Sequence, residues 1–326
     1  MIQHDTVAEE LSLGQVWRPH PDIAGSRRPI AWTVPWDRVS RGVWAVGDRE
    51  QATPTQFLRY LVRQCQDRSS VHGWLWTPNE TAWGPASYCV GIRRTHGRPV
   101  IRVPFIPWHV PHDVPAAEWG FVLARTLGTV WHWTITDVVR FLEGWLAHAD
   151  DIIAWALRQS DWSPTAQTSW RLFGDMPWEP QFATVHRAFP EWAQWTDSAA
   201  IGRIAVWYIA LAQALWHTPE TPWITVVDSV DQWGPDQAMQ LAHLTQTGPV
   251  WVRAHQVPPT LPADTLIYFA RWSETVQVDA ALTQRFGSGL WQYPGLGAHI
   301  TALSPYEAIL SIPGGHPELL DIEGLL

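Results

Sequence analysis

Three runs near the C-terminal end of the chain, Trp223–Asp228, Val250–Arg253 and Leu266–Phe269, are apolar with little alternation. A strand with one wet face alternates apolar and polar residues; a strand covered on both faces does not. Each run is too short for a helix, and helical spacing separates the first two over Gln237–Leu244. Buried parallel strands joined by helical crossovers are the economical solution.

The rest of the chain fits the same plan. Ile30–Val34 and Gly42–Val46 read as strands about a turn at Pro35–Asp37, and a helix follows to Gln66 with Phe57, Leu58, Leu61, Val62 and Cys65 on one face. Trp74–Trp76, Ser87–Ile92 and Val100–Val103 are further strands, the last two about a turn at Thr95–Arg98. Pro104, Pro107, Pro111 and Pro115 form a stiff connector. Helices are predicted at Ala116–Leu127, Ile135–Ala149 and Ala199–Trp216, with Ser163–Pro180 loop-rich. After the three buried runs, Val278–Phe286 reads as a helix. Ile300–Leu303 and Ile309–Ile312 read as a terminal strand pair about Ser304-Pro305, with Gly295–Gly297 as the turn before it. The fold class is therefore α/β: a mostly parallel sheet flanked by helices, with a central helical insertion. The expected divisions are an N-terminal arm at 1–29, sheet segments at 30–115 and 217–313 around the insertion at 116–216, and a loose tail at 314–326.

Composition narrows the chemistry. All 22 basic residues are arginine, so no ε-amino group exists for a Schiff base, a general base or a phosphate contact. A net charge of −9 disfavours broad DNA binding, which depends on neutralising phosphates. The two cysteines, Cys65 and Cys89, provide neither a disulfide framework nor zinc spacing. The 25 tryptophans outnumber the 15 residues given by 9 Phe and 6 Tyr, yet follow no period, so no repeat protein is implied. A coding bias that favours Trp and Arg, or an aromatic platform for a partner, accounts for them. The acidic N-terminus lacks a signal pattern, and no apolar stretch reaches the roughly 20 residues of a membrane span. A cytoplasmic protein is expected.

In an open parallel sheet, ligands bind beyond the carboxyl ends of the strands. Two ends stand out. Val43–Gly47 leads through a short loop into a helix, the outline of a phosphate-binding loop. Asp228 closes the first buried run, where a carboxylate could hold Mg²⁺ through water. The competing reading of the loop is a plain helix start, with Thr53 as N-cap, Pro54 in the first turn and Gln56 closing a capping box. His109-Val110-Pro111-His112-Asp113 groups two imidazoles and a carboxylate, but Pro111 forbids the helix that would aim them at one metal; no metal site is expected.

The order of these motifs resembles the HerA/FtsK group of P-loop ATPases, which includes the conjugative coupling proteins. In that group a strand ends in Gly-x-Thr-Gly-x-Gly-Lys-Ser/Thr, an acidic strand ends in Asp-Glu, and the next ends in Thr-Gln-x-Pro. Here the counterparts are Gly47, then Trp76–Glu80, Arg102–Pro107, Asp228-Ser229 and His255-Gln256-Val257-Pro258, with Leu261–Asp264 continuing the pattern. The resemblance spans about residues 30–312. It implies a RecA-like domain with Asp228 and Gln256 in catalytic positions and Gly47, Thr53 and Thr55 at the nucleotide. The departures are systematic. Glu50 and Ala52 fall on two glycines, Thr53 on the lysine, Pro54 on the Mg²⁺-binding hydroxyl, and Ser229 on the glutamate that polarises water. A carboxylate about 4 Å from a phosphate charge is repelled by about 4 kcal/mol at an effective dielectric near 20. Pro54 also removes a backbone N–H from the anion nest.

The reading is a catalytically degenerate ATPase-like subunit, structural or regulatory in a DNA-translocation, conjugation or secretion assembly. ATP and Mg²⁺ bind weakly or not at all. A homo-oligomeric or mixed ring is the expected partner, with DNA reached through the assembly. The alternatives are a Trp-rich interaction protein without a nucleotide site, and a slow atypical ATPase that takes a cation in trans, with Arg271 or Arg285 as candidates.

Overall fold

A computed structural model describes residues 10–19, 27–35, 39, 41–48, 52–66, 72–76, 89–95, 98–103, 105–175, 178–180, 198–217, 223–228, 230, 233–245, 248–258, 261, 265–273, 296–311 and 317–323. The chain forms two compact units: Met1–Leu75 with Thr81–Gly84 and His217–Leu326, and Trp76–Glu80 with Pro85–Trp216.

The first unit is built on a mixed sheet. Its strands are β1 (Glu10–Pro19), β2 (Arg27–Pro35), β3 (Val43–Val46), β4 (His72–Trp76), β8 (Trp223–Val227), β9 (Val250–Ala254), β10 (Leu266–Phe269), β11 (Glu307–Ser311) and β12 (Glu318–Asp321). They lie in the order β2-β1-β12-β11-β10-β3-β9-β8-β4. The centre, β10-β3-β9-β8, is parallel throughout. Every residue of β3, β9 and β10 is buried, as strands without alternation require. Antiparallel pairs β10–β11, β11–β12, β12–β1 and β1–β2 extend one side. Helix α1 (Thr53–Gln66) packs on β1, β3 and β9, and stacks Phe57 on Tyr268 of β10 with ring centroids 3.8 Å apart. Two shorter helices, α7 (Pro235–Leu244) and α8 (Leu296–Ala302), belong to the same unit. Before β3, Gly42 has φ +100°, and a Cβ there would meet Thr245 at 2.9 Å; both facts demand glycine.

The second unit holds the hairpin of β5 (Cys89–Thr95) and β6 (Arg98–Val103), with β7 (Trp178–Pro180) parallel to β6. Its helices are α2 (Ala116–Val130), α3 (Ile135–His148), α4 (Ile152–Arg158), α5 (Pro164–Asp175) and α6 (Ser198–Trp216). Helix α6 is buried at every position from Ile204 to Ile209, as a central helix must be. Around it Trp108, Trp131, Trp133, Trp162, Trp170, Phe173 and Trp207 form one network of aromatic contacts. Indole N–H groups tie the network to the backbone and to hydroxyls: Trp119 to the Pro107 carbonyl at 2.8 Å, Trp162 to Ala156 at 2.9 Å, and Trp207 to Thr126 Oγ1 at 2.8 Å. Among the described side chains, every tryptophan except Trp32 and Trp155 is buried. The abundance of Trp therefore builds cores; it lays no platform over the described surface.

Several elements differ from the sequence expectation. The segment read as an arm contains β1, and the segment read as a loose tail contains β12; each strand pairs with the other at Gln15 and Asp321. Ile300–Leu303 is not a strand, because Ile300 lies in α8, and the partners of β11 are β10 and β12. Gly297 accordingly sits in a helix, not in a turn. All of α5 lies within the stretch read as loop-rich, capped by the Ser163 hydroxyl, which accepts from the Ala166 N–H at 3.3 Å. The expected helix at 278–286 lies outside the described residues, as do Glu50, Thr77–Glu80, Ser229 and Arg285. Among the described residues no helix is long and apolar enough to cross a membrane.

Candidate functional site

The parallel strands β10, β3, β9 and β8 all end at one edge of the sheet. Their register sets the neighbours there: Val46 is level with Ala254 and Phe269, and Val227 with Val252. The residues just past the strands are Gly47-Asp48, His255-Gln256, Asp228 and Ala270–Ser273. Of the residues expected at a site, Gly47, Asp228 and Gln256 are thus brought to the same edge, with β9 between β3 and β8.

Gly47 and Asp48 are held firmly. The Gly47 N–H donates to the Ala254 carbonyl at 3.3 Å, and the Asp48 N–H to the Arg271 carbonyl at 3.1 Å. Asp48 Oδ1 accepts from the backbone N–H and the hydroxyl of Ser273, at 3.0 and 2.9 Å. The Gly47 carbonyl faces His255 Nδ1 at 3.3 Å, a contact that needs the proton on that nitrogen. A Cβ at Gly47 would lie 2.9 Å from Pro54 Cγ and 3.1 Å from Ala270 Cβ, so the proline ring and the glycine are in close contact. Trp44, buried in β3, donates its indole N–H to the Gln256 carbonyl at 3.2 Å. The Gln256 side chain itself is exposed.

Thr53 and Thr55 open α1, where the first-turn N–H groups of a helix make an anion site. Both are 6% exposed, and Pro54 between them is buried. The Thr53 hydroxyl donates to the Pro305 carbonyl at 3.3 Å, from the turn before β11. The expected capping role of Thr53 is not what the geometry gives: the helix already includes Thr53, and the first helical carbonyl is that of Ala52, which accepts from the Gln56 N–H at 2.9 Å.

Asp228 lies at the end of β8 with 4% of its side chain exposed. Beside it, Arg253 of β9 has 8% exposed, and its Nε stands 3.9 Å from Asp228 Oδ1. Two strands from Arg253 and level with it through Ala45, Tyr268 is buried, which pushes its phenol far above the ordinary range and keeps the ring neutral. Sequence reasoning missed the contacts made by Arg253, His255 and Asp48, and the approach of Pro305 to Thr53. Arg253 had a signal: a charged residue inside a buried run needs a partner, and Asp228 is the acid at the end of the neighbouring run. Pro305 had none, because its approach to Thr53 depends on contacts far apart in sequence.

No family model and no curated protein matches the sequence. Solved structures do. VirB4 of Thermoanaerobacter pseudethanolicus is similar with a TM-score of 0.55 at 10% identity, covering 96% of this chain and 96% of that chain. A bacterial conjugative coupling protein, TrwB in its unbound monoclinic form, is similar with a TM-score of 0.50 at 13% identity, covering 95% of this chain and 88% of that chain. At such identities the likeness is one of fold. The α/β architecture with a mostly parallel RecA-like core, implied by the order of motifs, is the architecture found.

Proposed function

We propose that this chain is a RecA-like subunit of a conjugation or secretion assembly that contributes structure or regulation rather than nucleotide hydrolysis. One observation carries the reading: the first three residues of α1 are withdrawn from solvent. Thr53, Pro54 and Thr55 are buried, and the Thr53 hydroxyl is committed to the Pro305 carbonyl. A phosphate group needs open N–H donors at such a helix start. Here Pro54 has no N–H, and its ring packs on the loop glycine. The residues do not fit Mg-nucleotide as the HerA/FtsK resemblance would have it held: no lysine exists in the chain, and Asp228 is paired with Arg253. A sheet edge clamped by its own bonds is suited to holding shape without ligand. The expected partners are copies of this chain or an active RecA-like subunit in a ring on the cytoplasmic side, with DNA handled by the assembly.

A titration of Mg-ATP and Mg-ADP followed by tryptophan fluorescence tests this, since Trp44 bonds directly to the site's edge. Saturable binding without turnover supports the proposal, no response at millimolar nucleotide favours an interaction protein without a nucleotide site, and turnover refutes it. One observation favours a second reading, the slow ATPase with a cation in trans: the Arg271 side chain is exposed at the same edge. That reading requires turnover that is lost in Asp228→Ala.

A further inference from the structure

We propose that Arg253 is the built-in cation of this site, standing in for the divalent metal that would otherwise neutralise Asp228. The inference rests on reading the edge as a nucleotide site whose binding groups have changed. Its root is the register. Val227 of β8 is level with Val252 of β9, so the next pair along the two strands is Asp228 and Arg253. On the other side, Arg253 is level with Ala45 of β3, whose single methyl group leaves room for a large neighbour. Three adjacent strands thus place a carboxylate, a guanidinium and a methyl group side by side, on the face covered by α1 through its contact with Tyr268.

Burial decides what this pair can do. Asp228 and Arg253 are 4% and 8% exposed, with Nε and Oδ1 3.9 Å apart. A carboxylate so placed needs a positive charge, because an uncompensated buried ion is strongly destabilising. Guanidinium stays charged at every working pH, so it supplies that charge permanently. Mg²⁺ binds through an octahedron of oxygens, most of them water. A nearly inaccessible carboxylate with a fixed cation beside it offers neither the space nor the net charge for that shell. The pair therefore makes the site independent of metal: the fold keeps its acid and balances its charge from within, across 3.9 Å.

The test uses the full-length chain with Mn²⁺ as probe, read by the paramagnetic resonance signal of free Mn²⁺ and by thermal melting. The wild-type protein is expected to leave the signal of millimolar Mn²⁺ undiminished and to melt unchanged in its presence. Arg253→Gln is expected to melt roughly 10 °C lower, to take up Mn²⁺ saturably, and to regain stability with it. The double variant Asp228→Asn with Arg253→Gln is expected to melt above Arg253→Gln alone and to take up no Mn²⁺. If Arg253→Gln does not fold, recovery of folding in the double variant carries the same support. Wild-type uptake of Mn²⁺ that Asp228→Asn abolishes overturns the proposal. So does an Arg253→Gln protein that folds without loss of stability, or a double variant no more stable than the single. ATP turnover by a wild-type chain that binds no Mn²⁺ would refute the functional reading while leaving Arg253 in this role. Mn²⁺ uptake without turnover would do the reverse.

Discussion

Asp137 shows how one side chain fixes a helix. It closes a capping box with Thr134, whose hydroxyl accepts from the Asp137 N–H at 3.2 Å, and its other oxygen accepts from the Ser163 N–H at 3.0 Å. Burial would raise its pKa, but the hydrogen bonds from Ser163 and Thr134 prevail and hold it below the usual carboxylate range. A depressed folded-state value stabilises above the unfolded value of about 3.9, and the contribution is lost as pH falls through the folded one. Asp137→Asn should therefore flatten the acid limb of a melting-temperature profile, and Asp137→Ala should cost about 2 kcal/mol at neutral pH. Two tryptophans separate packing from hydrogen bonding in the same way. Trp207 donates to Thr126, whereas Trp170 Nε1 is buried with no hydrogen-bond partner. Trp207→Phe should exceed Trp170→Phe in chemical-denaturation cost by about 1 kcal/mol. At the sheet edge, Gly47→Ala should cost about 1–3 kcal/mol, because its methyl would meet Pro54 and Ala270. Equal stability to the wild type would show that the loop and helix start are not packed as described.

At the scale of elements, a clasp from α1 holds the terminal hairpin. Gln64 of α1 donates to the Ser12 carbonyl at 2.8 Å and accepts from the Ser12 N–H at 2.9 Å, where the β1–β2 register shifts between Ser12 and Gly14. A bulge leaves backbone groups without ladder partners, and the amide supplies them. Gln64→Ala should lower stability by about 1–2 kcal/mol and speed hydrogen exchange at Ser12 and its neighbours. The same elements show what the sequence could and could not reveal. The central strands were legible because burial on both faces leaves an unmistakable run, as in Val250–Ala254. Strands β1 and β12 were not, since they pair across most of the chain's length and carry breakers such as Pro19. The run Ile300–Leu303 misled because periodicity cannot separate a short apolar helix from a strand. In α5, by contrast, Ser163, Pro164 and the spacing of Ala166, Trp170 and Phe173 did signal a helix, but polar residues between them masked it.

For the whole molecule, the order of motifs was enough to imply the RecA-like sheet, since it placed Gly47, Gln256 and Asp228 on successive strand ends. It could not reveal how that edge is satisfied, which depends on pairings such as Arg253 with Asp228 and Thr53 with Pro305. Those contacts underlie the proposal that this chain does not turn over nucleotide. Phosphate release from Mg-ATP, measured on the intact chain beside Asp228→Ala, tests it most directly. Both proteins are expected to release phosphate at the same background rate. A wild-type rate that saturates with ATP and falls to background in Asp228→Ala would contradict the proposal.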